Sequence, residues 1–253
     1  MIQTSQSSLN HKKSSERNAP RKWGIFLLEK ELVYLYKSNR IMVNVYFISD
    51  LHFFHRNICK YTDRAKVMGL DEENPNIGEM NEWIINMWNS IVQRQDIVYI
   101  LGDFSFINTE ETRKLLERLK GHKHLIWGNH DKSCKGLENY FDSTSDIKTV
   151  VFKQQNYSFL KEDFVIQMCH YPLLAWDRRM HGCCMVHGHT HGAIDHLNEE
   201  SRELRVDVGL DAKLANYSLI SLERLYEHFK SISSGMRLSD YVKAKSEEDG
   251  TRY

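Results

Sequence analysis

The sequence predicts an α/β layered fold in which short buried strands alternate with helices. Three observations carry that expectation. Five apolar runs of strand length each end in polar residues, segments of helical periodicity lie between them, and a chain of 253 residues, 41% hydrophobic and 27% charged, can bury a full core.

In chain order the strand-like runs are NVYFISD (44–50), DIVYILGD (96–103), KHLIWGN (123–129), DFVIQMCH (163–170) and CCMVHGH (183–189). Between the first two, IGEMNEWIINMWNSIV (77–92) sets Ile77, Met80, Trp83, Ile84, Met87, Trp88 and Ile91 on one helical face, with Trp83 and Trp88 as core. Asn108 followed by Glu111 reads as a capping box that opens a helix through Leu119, closed by Gly121. A last helix is expected from Leu222 to Phe229. In sheets of this kind ligands gather beyond the carboxyl ends of the strands.

The two ends read differently. Residues 1–41 form an N-terminal extension, with 1–22 polar and expected to be disordered and 23–37 a short helix or strand. That stretch is too short and too charged to span a bilayer. The main domain is expected over 42–232, followed by a polar C-terminal tail, 233–253, mobile beyond Leu238.

Charge and cysteine content narrow the function. Lysine plus arginine equals aspartate plus glutamate at 34 each, so no basic field exists to hold a long duplex or an anionic membrane. The five cysteines, Cys59, Cys134, Cys169, Cys183 and Cys184, form no metal-binding C-x-x-C pair. An odd count with an adjacent pair argues for a reducing cytoplasm over a disulfide framework. Histidine is abundant, at 13 residues.

Polar residues at the run ends form a constellation: Asp50 and His52 in SDLH, Asp103 in GDF, Asn129, His130 and Asp131 in GNHD, His170 in CHYP, and His189 and His191 in VHGHTHG. Taken singly, Asp50, Asp103 and Asn129 also suit turns or helix caps. Together they mix carboxylate, amide and imidazole donors, which suits manganese, iron or zinc better than calcium or magnesium. The set is too large for one ion. Two divalent ions would need a shared bridging group, and a carboxylate on a central strand end is the natural one.

These blocks, in this order over residues 42–225, resemble the calcineurin-like metallophosphoesterases, and phrases such as FISDLHFFHRNI and CHYPLLAWDRRMHGCCMVHGHTHG are similar to the small bacterial and phage-type phosphoesterases. The resemblance implies a four-layer α-β-β-α sandwich, two central mixed sheets flanked by helices. It implies that Asp50, His52 and His191 hold one ion, that Asn129, His170 and His189 hold the other, and that Asp103 bridges them. It also implies that His130 faces the substrate unliganded, with Asp131 orienting it. Two divalent transition-metal ions, manganese foremost with iron or zinc as alternatives, would let a bridging hydroxide attack a phosphoester while His130 protonates the leaving oxygen. Residues 1–41 and 66–76 depart from the family pattern.

The expected substrate is a small phosphodiester, a nucleotide or a nucleic-acid end, with no membrane partner and no long duplex. A phosphomonoesterase is the alternative reaction. A non-catalytic scaffold on the same fold would have lost ligands, and a structural zinc protein would favour closed cysteine and histidine sites. His55, Arg56, Asn57 and Arg64, together with Arg178 and Arg179, are the candidate substrate contacts, each also readable as a solvated loop residue. His187 is expected to pack beneath its loop, and Cys169 to be a buried small hydrophobe. Oligomeric state is not legible.

Overall fold

In the computed structural model, residues 43–248 and residue 250 are described, so the extension and its 23–37 element lie outside the described residues. Strands β1 (Val45–Ile48), β2 (Ile97–Ile100), β3 (His122–Ile126) and β4 (Ser143–Ser145) pair in parallel, and β9 (Ile220–Ser221) joins β1 antiparallel, in the order β4-β3-β2-β1-β9. A second mixed sheet has the order β5-β6-β7-β8, from β5 (Ile147–Phe152), β6 (Phe164–Cys169), β7 (Cys184–His187) and β8 (Arg205–Asp207).

Alternation along each strand decides what the two faces of the first sheet bury. Val45, Phe47, Tyr99 and Leu101 meet Phe164, Ile166, Met168 and Val186 of the second sheet in one core, so the sheets stack face to face. On the opposite face, Ile48, Val98, Ile100 and Leu125 pack against the helices α3 (Ile77–Ile91) and α4 (Thr109–Arg118) through Met80, Ile84, Trp88, Leu115 and Leu116. Trp88 is fully buried and Trp83 partly so. The Asn108 side chain accepts from the Glu111 N–H, as the capping box requires. The outer face of the second sheet packs Cys169, Cys183 and Met185 against Trp176 of the loop after β6. Two mixed sheets with flanking helices match the expected fold class.

The expected insertion at 66–76 is ordinary local structure. The short helix α1 (Ile58–Tyr61) precedes it, α2 (Arg64–Met68) runs into it, Gly69 closes α2 in the left-handed region, and the Asn76 side chain caps α3. The expectation of a mobile C-terminal tail is corrected. Helix α5 (Asp195–Ser201) lies between β7 and β8, and helix α6 (Leu222–Ile232) is followed by α7 (Leu238–Glu248), which sends Leu238, Tyr241 and Val242 into the inter-sheet core. Three apolar side chains spaced i, i+3 and i+4 suffice to bury one side of an otherwise largely polar helix.

The edge where the two sheets meet positions the functional residues. The Ser49 N–H donates to Val208 O and Ser49 O accepts from the Leu210 N–H, both at 3.0 Å, which stitches the carboxyl end of β1 to the segment after β8. The carboxyl ends of β1, β2, β3, β6 and β7 therefore converge. Among the described residues, no helix is long and apolar enough to cross a membrane.

Candidate metal centre

The chain leaves each strand abruptly at this edge. Asp50, His52, Asp103, His189 and His191 all have positive φ, between 49° and 72°, a region that non-glycine residues rarely occupy. Such strain persists only where the surroundings over-determine it, and it clusters at functional sites. Glycines make room for these turns. A Cβ on Gly188 would collide with Ser49 Oγ and with Asp50 Oδ2, and one on Gly102 (φ +89°) would lie 2.7 Å from His170 Nδ1.

Two groups of donors result. Asp50, His52 and His191 form one, with Asp50 Oδ1 3.7 Å from His52 Nε2 and 3.8 Å from His191 Nε2. Asp103, His170 and His189 form the other, with Asp103 Oδ1 3.6 Å from His170 Nε2 and the His189 and His170 ring nitrogens 3.2 Å apart. Asn129 joins it, its Oδ1 2.9 Å from His170 Nε2. Asp103 also faces the first group, its Oδ2 3.5 Å from His52 Nε2. One carboxylate thus turns an oxygen to each group.

The neighbours fix which nitrogens face inward. His170 donates from Nδ1 to the Leu101 carbonyl at 2.7 Å, and His191 from Nδ1 to Asp211 Oδ2 at 2.7 Å, so Nε2 of each keeps its lone pair for the centre. His52 Nδ1 lies 3.0 Å from His55 Nδ1. Burial, reinforced by His52, His130 and Arg64, pulls His55 down to about 4, so it is neutral and able to accept from His52. Burial alone would raise the Asp50 carboxyl. The imidazoles of His52, His191 and His170 around it outweigh that and hold the carboxyl below its ordinary range. Burial lowers His189, whereas for His191 it is overcome by Asp211 and Asp50, and that imidazole is raised.

Other expected site residues land elsewhere. Asp131 does not orient His130: its buried carboxylate accepts the backbone N–H groups of Asp103, Phe104 and Gly128 at 3.1, 2.8 and 2.7 Å, clamping two of the motif loops together. The adjacent side chains diverge because the chain enters a 3₁₀ turn, Asp131–Cys134, at this point. His130 is exposed, with its ring 4.7 Å from that of Phe106. His55 stacks on Phe106 at 4.1 Å and 7°, buttressing His52. Arg64 is not at the substrate face; it is fully buried and bound to Asp211. Arg179 is held by Glu203 at 2.7 Å and Arg178 only loosely, by Asp177 at 3.6 Å, so Arg56, Asn57 and Arg178 are the exposed candidates. His187 is buried beneath its loop with Nδ1 on Gly188 O, and Cys169 is buried as a small hydrophobe.

Three neighbours of the centre carry no motif and escaped the sequence reading: Phe106, Asp207 and Asp211. Asp207 accepts from the Thr190 hydroxyl and the Gly192 N–H and so secures the VHGHTHG loop. A signal for the two aspartates existed. Leu204, Val206, Val208 and Leu210 alternate with polar residues as a strand would, and both carboxylates belong to that run.

Residues 43–193 match the sequence profile described as calcineurin-like phosphoesterase. The chain belongs to the calcineurin-like phosphoesterase family. This phosphoesterase is therefore a metal-dependent hydrolase of phosphoric esters. It is 32% identical over 186 residues to an uncharacterized protein of Methanocaldococcus jannaschii, MJ1445, covering 72% of this chain and 89% of that one. To the gene 66 protein of Mycobacterium phage D29 it is 26% identical over 217 residues, 77% of this chain and 100% of the relative, in keeping with the expected phage-type resemblance. A crystal structure of a protein of unknown function from Aquifex aeolicus, AQ665, shares the fold with a TM-score of 0.51 at 22% identity, over 74% of this chain and 100% of that one.

Proposed function

We propose that the phosphoesterase is a two-metal phosphodiesterase acting on a small nucleotide or a nucleic-acid end. The observation that carries the two-metal reading is the Asp103 carboxylate, set between two donor groups with one oxygen toward each. The donors fit metal ions. Asp50 Oδ1 and His52 Nε2 are buried without a hydrogen-bond partner, and such atoms are costly unless something cationic satisfies them. The set is oxygen and nitrogen with no thiolate, which favours manganese, with iron or zinc as alternatives.

Asp50, His52 and His191 would hold one ion, and Asn129, His170 and His189 the other, with Asp103 shared. When bound, two dications neutralise phosphate oxygens and acidify water near pH 7. The chain's own groups do the rest. His130, exposed beside the centre, is the group placed to give a proton to the leaving oxygen, a contribution of about 10²- to 10⁴-fold. Arg56 and Arg178 remain exposed to meet a singly charged diester. With manganese present, kcat/KM should be higher for bis-p-nitrophenyl phosphate than for p-nitrophenyl phosphate. The reverse order would make the enzyme a phosphomonoesterase.

A further inference from the structure

Arg64 is the most buried cation near the centre, and the expected substrate role leaves its burial unexplained. Its guanidinium is spent entirely on protein. Nε and Nη2 grip both oxygens of Asp211 at 2.8 and 2.6 Å, Nη1 donates to Leu51 O at 2.8 Å, and Nη2 also donates to Asp50 O at 2.6 Å. Asp211 Oδ2 in turn accepts from His191 Nδ1 at 2.7 Å. The fork therefore joins the SDLH turn to the imidazole of the VHGHTHG loop, two segments that share one donor group but sit far apart in sequence. Asp211 itself lies beyond the 43–193 segment that matches the family profile.

We infer that Arg64 and Asp211 are positioning residues for the metal group formed by Asp50, His52 and His191, fixing the His191 tautomer and the Asp50 backbone together. The inference rests on reading those three residues as one metal site. A planar fork with paired donors holds two carboxylate oxygens and two carbonyls at once, which a lysine cannot reproduce. Partners of this kind on a liganding histidine are worth about 10- to 100-fold in metal affinity. The effect should be local: among the described residues, no hydrogen bond or ion pair joins the fork to Asp103, His170 or His189.

The test uses the full chain stripped of metal and titrated with manganese by calorimetry. Wild type is expected to bind two ions. Asp211→Asn, close in shape, is expected to weaken one of them about 10- to 100-fold and to leave the other unchanged. Arg64→Lys should weaken the same ion. Equal weakening of both ions, or of neither, would overturn the inference. A wild-type chain that binds fewer than two ions would instead remove the two-site reading beneath it. Should either variant fail to fold, a long-range proton–nitrogen spectrum of the metal-free wild type decides: His191 is expected to carry its proton on Nδ1, and a proton on Nε2 instead would overturn the inference.

Discussion

Asp103 Oδ1 accepts the backbone N–H of His130 at 2.9 Å, so the carboxylate set between the two donor groups also anchors the residue placed to deliver a proton. Asp103→Asn should keep that hydrogen bond through the amide oxygen while losing the charge shared by both groups. Activity is expected to fall by at least about 100-fold and metal content to drop at both groups. Elemental analysis after dialysis checks this; two retained ions with full turnover would refute it. Chelation of the wild type should abolish turnover, and manganese should restore it.

Among the described glycines, Gly188 has the least room for a side chain, since a Cβ there would run into Ser49 and Asp50. Its N–H donates to His170 O at 2.9 Å, so the loop cannot retreat to admit a methyl group aimed at Ser49 and Asp50. Gly188→Ala should cost about 1–3 kcal/mol in denaturant unfolding and weaken metal binding as well. An unchanged midpoint would show that the turn has slack.

The two ends of the chain should behave oppositely. Val43–Tyr253 is a compact unit with its own cores, so a chain beginning at Met42 is expected to fold and to retain most turnover. Deletion from Leu238 onward removes three buried side chains from the inter-sheet core and should lower Tm by several degrees or more. Circular dichroism melts of the two truncations distinguish them.

Acid should destabilise the fold through β3. Burial, with a lesser push from Lys148, lowers His124 to about 4 from an ordinary 6.5. A base with a lowered folded value binds its proton more readily in the unfolded chain. Its stability contribution is therefore complete above pH 6.5 and falls as pH drops toward 4. His124→Phe retains the stack on Tyr99, whose rings are 4.8 Å apart, and should flatten stability between those limits, by at most about 3 kcal/mol. Denaturant midpoints at pH 7 and pH 4.5 measure it; an equal acid loss in variant and wild type would exonerate His124.

What the sequence made legible was chemistry at strand ends. Asp50, Asp103, His170 and His189 each follow an apolar run, and any α/β sheet carries such residues to one edge. Contacts set by tertiary structure were not legible. Arg64 pairs with Asp211 across 147 positions, so nothing local separates it from a solvated loop arginine. Adjacency misled at His130 and Asp131, since neighbouring residues in a tight turn point apart. Helix α7 was hidden by its polar and charged majority, because three buried side chains in eleven residues make a weak periodic signal.

The proton donor is the most exposed part of the proposed mechanism and gives its sharpest test. With Asp131 committed to backbone N–H groups, the His130 ring has Phe106 beside it at 4.7 Å and His52 at 6.3 Å. A nitrophenolate leaves without a proton, whereas an alkoxide does not. His130→Ala should therefore reduce kcat on an alkyl-leaving diester by about 10²- to 10⁴-fold and spare bis-p-nitrophenyl phosphate. Phe106→Ala keeps the imidazole but removes the surface it rests on, so a smaller loss on the alkyl substrate is expected, with metal content unchanged. If His130→Ala slows alkyl and aryl diesters equally, the imidazole binds phosphate and does not protonate the leaving group; if Phe106→Ala matches wild type on both, the ring is positioned by something other than that stack.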